Sequence, residues 1–175
     1  MTAIDKNQAT IDFIITYSGI STSPIFVNFI DAKDNDIQFI TDDNETSLNK
    51  EFVDGSVMKR YTFSLLITRS IANFAIVTAQ PSIGATLSNE NIDDLADIQK
   101  FMDWINEQGE SHNFPDFGKN CIIEEMRTTT DNPSIEGFNT EVNPVLCMYG
   151  IEIVIDYIDY TKVIWSEPSD IVPSI

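Results

Sequence analysis

The side chains able to do chemistry are few, and their spacing argues against a reactive centre. The single histidine, His112, stands in a loop without a cysteine or second histidine beside it, so a zinc site lacks its clustered nitrogen and sulfur ligands. Asp31, Asp34 and Asp36 have calcium-loop character. However, Lys33 occupies the third position of a loop starting at Asp31, and no glycine supplies the sharp turn at its sixth. Glu124 and Glu125 are adjacent on a candidate strand and so point to opposite faces, where they cannot share a proton. The sequence has no Gly-x-x-x-x-Gly-Lys-Ser/Thr, no Gly-x-Gly-x-x-Gly and no Gly-x-Ser-x-Gly. Tyr61 and Phe63 beside Lys59 and Arg60 form the one basic–aromatic cluster that could stack single-stranded nucleic acid. In so acidic a chain they read as a sheet core with charges at its edge. Cys121 and Cys147, set among apolar and β-branched neighbours, read as buried thiols of a reducing compartment, with a disulfide between facing strands as the alternative. The expectation is a protein that is not an enzyme and needs neither metal nor cofactor.

The elements that must position these residues follow from periodicity. Residues 3–18 read as a helix, capped by Thr2, closed by Gly19, and carrying Ile4, Ile11, Ile14 and Ile15 on one stripe. Ser23-Pro24 breaks it, 25–30 reads as a strand, 31–36 as a turn, and 37–41 as the returning hairpin partner. Residues 42–49 read as a polar connection. After Asp54-Gly55 comes the clearest strand, with Tyr61, Phe63, Leu65 and Ile67 on one face and Arg60, Thr62, Ser64 and Thr68 on the other. Residues 70–91 read as an inserted loop or hairpin, with Phe74–Val77 a strand candidate. A second helix is predicted over 92–108: Leu95, Ile98, Phe101, Met102 and Ile105 form its stripe, Asn89 or Asn91 caps it, and Gly109 ends it. Residues 121–126 read as a strand and 128–144 as a long polar connection. Residues 145–160 form the longest strand, whose second face (Leu146, Met148, Val154, Ile158) is too apolar for plain solvent and needs cover from a helix or a neighbouring subunit. The order indicates an α+β fold, an antiparallel or mixed β-sheet with helices packed on one face, as one domain over 1–162 with an extended tail at 163–175.

Composition narrows the partners. Among 175 residues, 42% are hydrophobic, enough for a packed core, and ten Lys+Arg stand against 28 Asp+Glu for a net charge of −18. Such a chain does not grip nucleic-acid phosphates or an anionic membrane surface. No apolar run reaches the ~18 residues of a membrane span, and the first residues lack the basic and apolar regions of a signal peptide.

Two stretches are more distinctive than the composition. Lys50-Glu51-Phe52-Val53-Asp54-Gly55-Ser56 runs into Met58-Lys59-Arg60-Tyr61-Thr62-Phe63. Further on, Phe101-Met102-Asp103-Trp104-Ile105-Asn106-Glu107-Gln108 is followed by Phe114-Pro115-Asp116-Phe117-Gly118-Lys119-Asn120-Cys121. In this order and spacing the chain resembles, over about residues 50–160, the tail terminator (tail completion) proteins of long-tailed phages of Gram-positive bacteria, also described as minor capsid or minor structural proteins. Residues 70–91 and 128–144 are longer than that pattern expects.

The resemblance implies a virion structural protein, made in the host cytoplasm. It would form a hexameric ring that caps the tail tube, stops its polymerisation and presents the surface that joins the head-side connector or stopper protein. Its partners would be copies of itself, the tail tube protein, the connector and, in a contractile tail, the sheath. Genome DNA would pass through unbound, and a carboxylate-rich lumen suits that passage because it repels phosphate. Within this picture Lys59 and Arg60 are expected to pair with Glu51 or Asp54 across a subunit boundary. The loop Phe114, Pro115, Asp116, Phe117 is expected to pack on an adjacent subunit or tube ring. A neck adaptor or stopper protein is the nearest competing function. An acidic mimic of DNA that inhibits a basic partner is the competitor from another class, and a metal-dependent hydrolase comes third.

Overall fold

Long runs of alternating character set the frame of the structure. The computed structural model describes residues 5–28, 33–41, 46–71 and 89–161. Along the chain these form α1 (Lys6–Ile14), β1 (Ile25–Val27), β2 (Ile37–Thr41), β3 (Thr46–Glu51), β4 (Val57–Ile71), α2 (Asn89–Glu110), β5 (Cys121–Thr128), β6 (Ser134–Asn139) and β7 (Val145–Asp159). β4 and β7 pair antiparallel over all 15 residues, from Val57 opposite Asp159 to Ile71 opposite Val145. Each is long enough to hold two shorter strands on its outer edge. β2 and β3 lie end to end beside β4, and β5 and β6 lie end to end beside β7. With β1 added outside β2, the result is one seven-stranded mixed sheet. The fold is α+β.

The register decides which side is the core. Tyr61, Phe63, Leu65 and Ile67 of β4 stand opposite Ile155, Ile153, Ile151 and Tyr149 of β7, and all eight are buried. Ile98, Phe101, Met102 and Ile105 of α2 and Ile14 of α1 close over them. Aromatic rings weld the two helices together: Phe13 stacks on Trp104 at 5.3 Å, and Tyr17 sits 5.3 Å from both Phe101 and Trp104. Fully burying a ring or branched side chain of this kind contributes about 1.5–3 kcal/mol. Gly109 lets the end of α2 lie flat on β5. A Cβ there would sit 2.1 Å from the Met126 carbonyl oxygen.

Several expected elements differ from those observed. Asp5, not Thr2, caps α1: its Oδ1 accepts from the Asn7 and Gln8 amides at 2.9 and 3.4 Å. The helix ends at Ile14, and Gly19 is not in the left-handed region. β1 and β2 are not a hairpin but a parallel pair, with Ile25 opposite Ile37. Asn28, at φ 53°, takes the chain out of β1, its N–H bonding to the Phe39 carbonyl. The polar stretch 42–49 contributes strand β3, and the polar connection 128–144 contributes β6. Both are short edge strands with a largely polar sequence and no regular apolar alternation, so periodicity gave no signal for either. α2 begins at Asn89, which puts Asn91 inside the helix. It runs through Gly109 to Glu110, and the left-handed residue after it is His112 at φ 54°. Of the expected insertion at 70–91, Ser70 and Ile71 complete β4 and 89–91 open α2. The Phe74–Val77 strand candidate, Trp165 and the 163–175 tail lie outside the described residues. Among the described residues no helix is long and apolar enough to cross a membrane.

Candidate functional site

The cationic side chains Lys59 and Arg60 each meet an acid of their own chain, and within the chain it is neither Glu51 nor Asp54. Position 60 on β4 faces position 156 on β7. The Arg60 guanidinium there grips the Asp156 carboxylate in a two-pronged bond, Nε to Oδ1 and Nη2 to Oδ2, each 2.7 Å. Asp156 is only 4% exposed, and the fork raises the Arg60 pKa further, chiefly through that hydrogen bond. At the end of the same strands Lys59 Nζ lies 2.8 Å from Asp159 Oδ2. Burial pushes the Asp159 carboxyl up, but the Lys59 ammonium and the bonds from Thr161 outweigh it and hold the pKa at about 2. Asp156 and Asp159 were not singled out from the sequence. The signal was an acid recurring in an otherwise apolar strand, at a position that strand register alone could match to Arg60.

Glu51 and Asp54 belong to the hairpin that joins β3 to β4. The turn is held by Phe52 N–H to the Ser56 carbonyl and Gly55 N–H to the Phe52 carbonyl, both 2.9 Å. Gly55 takes φ 84°, a conformation that favours glycine. The Asp54 carboxylate accepts from the Ser56 amide at 2.9 Å and its hydroxyl at 2.7 Å, and these bonds lower its pKa. The turn therefore has a fixed shape, yet it presents Phe52 and a fully exposed Val53 to solvent between two acids. Two adjacent exposed apolar side chains on a turn of fixed shape make this tip a candidate contact surface.

The 114–117 loop folds partly back on its own core. Its aromatics turn inward: Phe117 is buried, meeting Tyr61 and Tyr157 edge-on at 5.6 Å each, and Pro115 is buried beside it. Phe114 is half-buried and packs edge-on against His112. Asp116 alone faces out, and its Oδ1 accepts from the Gly118 amide at 2.8 Å. Between this loop and α1 lies an open groove of about 510 Å³. Ala9, Phe13, Phe114 and Pro115 make its apolar floor, and Asp5, Asp12 and Asp116 its acidic rim. The groove can receive an apolar side chain flanked by cations.

The remaining sequence candidates take structural positions. Asp36 accepts from the Lys33 amide at 3.0 Å, closing the loop on itself, and Asp34 accepts from the Ser70 amide at 2.7 Å, tying the loop to β4; Asp31 lies outside the described residues. Cys147 is buried and Cys121 half-buried, and neither is in a disulfide. Cys121 pairs in register with Asp159, 12 residues along β7 from Cys147, a separation of about 40 Å that excludes a disulfide. Among the described residues no group of three or more His, Cys, Asp or Glu side chains gathers as metal ligands. No protein-family model matches this chain, and no curated protein matches it.

Proposed function

We propose that this protein is a virion structural component that ends tail growth, capping the finished tail tube as a ring of its own copies and offering the surface to which the head-side connector joins. One observation carries the reading. The two distinctive stretches that resemble tail terminator proteins, 50–63 and 101–121, lie far apart in sequence but form one packed unit, joined where Phe117 meets Tyr61. The first stretch makes the β3–β4 hairpin with its apolar tip, and the second makes the end of α2 and the loop that lines the acidic groove. The hairpin tip and the groove are the contact surfaces this reading needs for tube and neck, and the charge of −18 suits a passage that DNA traverses without sticking.

The test is to add the purified protein to its tail tube protein during polymerisation and image the products by electron microscopy. The expected result is tubes of limited length, each with one ring on its last layer. Tubes that grow unchecked, with no density at their ends, refute the reading. A ring found on the portal side of the connector assigns the protein to the neck adaptors instead.

A further inference from the structure

The sheet has a second face, and both helices lie on the other one. Along β4 it shows Met58, Thr62, Ser64 and Leu66, half-buried, and along β7 Met148 and Ile158, also half-buried, with Val154 between them. The sequence required cover for this face from a helix or a neighbour. Both described helices, α1 and α2, lie on the core side, so neither covers it.

The charge on this face departs from the rest of the chain. Arg60 is matched by Asp156, and Arg127 by Glu125 at 2.9 Å on the adjoining β5. Register places Lys50 on the same side through Met58, and Glu152 through Ser64. Glu136 reaches over Gly150. Three cations and four acids leave a net charge of about −1 here, while the whole molecule carries −18. Copies of so acidic a chain repel wherever their carboxylates meet, and this face contributes few unmatched carboxylates to any such contact. It is also large enough. Strands of 15 residues at ~3.3 Å, four columns wide at ~4.8 Å, span roughly 900 Å², against about 800 Å² per partner in a stable interface.

We infer that this helix-free face of the sheet is covered by a second copy of the chain. The inference deepens the ring reading and rests on it for the premise that the protein meets its own copies; it names the surface they use.

Thr62 and Ser64 sit in the middle of the face, outside the core, so T62E/S64E places like charges at the contact without emptying the interior. Light scattering and native mass measurement on the full chain should give an assembled wild type. The double variant should be a monomer with an unchanged circular dichroism spectrum, its self-association weakened by about 100-fold or more. A96E, which adds one such charge on the exposed side of α2, should assemble like wild type. A monomeric wild type, a double variant of wild-type mass, or equal dissociation of A96E overturns the inference. If the double variant fails to fold, S64C decides: its thiol should react with a maleimide faster in dilute than in concentrated protein, and equal rates overturn the proposal. A double variant that still assembles removes this surface but leaves the ring. Tubes left uncapped by an assembled wild type remove the capping function but leave the surface.

Discussion

Replacing Arg60 by Met tests whether the buried ion pair at the centre of the sheet holds the fold of a single chain. The Met side chain keeps most of the aliphatic stem while removing both bonds to Asp156. Asp156, with a side chain 6% exposed, is then left as a carboxylate with no cation against it. For a fully enclosed pair that loss costs about 3–5 kcal/mol. The Arg60 side chain is 32% exposed, so water can enter the space it vacates, and the expected cost falls to about 2 kcal/mol. In a chain of 175 residues that lowers Tm by about 4–8 °C. Asp156→Leu should cost less, about 1 kcal/mol, because the orphaned guanidinium can turn to solvent near Glu125. With both charges removed, R60M/D156L should return to within about 1 kcal/mol of wild type. Urea denaturation of the four proteins, with equal m values, gives the coupling directly. A coupling below about 0.5 kcal/mol, or an R60M protein as stable as wild type, refutes the argument. If that stable R60M protein also failed to assemble, the role expected of Arg60 at a subunit boundary would be supported instead.

Gly109→Ala should destabilise by about 3 kcal/mol, although alanine is the better helix former by about 1 kcal/mol, because the new methyl would meet the β5 backbone at 2.1 Å. Thermal melting checks it, and an unchanged Tm would mean that α2 and β5 do not approach so closely. Lys59→Met should cost about 1 kcal/mol at neutral pH and nothing in strong acid. Asp159 titrates below its ordinary value in the folded chain, so the stabilisation is complete above about pH 4 and disappears as pH falls towards 2. Denaturant midpoints of both proteins from pH 7 to pH 2 should therefore converge in acid, and a gap of constant size would contradict the pairing.

What the sequence determined by itself was whatever a period or a composition can encode. The alternation through Tyr61, Phe63, Leu65 and Ile67, and its counterpart from Tyr149 to Tyr157, fixed two long strands and their core faces, because the face a side chain takes depends only on its parity. The stripe Ile98, Phe101, Met102, Ile105 fixed the second helix and its buried side in the same way. Tertiary structure decided matters that depend on partners distant in the chain. β3 and β6 are strands because β4 and β7 offer them an edge, and their own polar residues do not ask for one. The parallel pairing of β1 with β2 is set by where the chain travels between them. The Phe114–Phe117 aromatics look exposed in a loop bearing proline and glycine, but Tyr61 and Tyr157 leave a place for Phe117 that only the assembled sheet creates. Arg60 needed a carboxylate, and 28 were available. Strand register chose Asp156, 96 residues away, because a pair formed under a sheet's own side chains is desolvated while one at its rim is not.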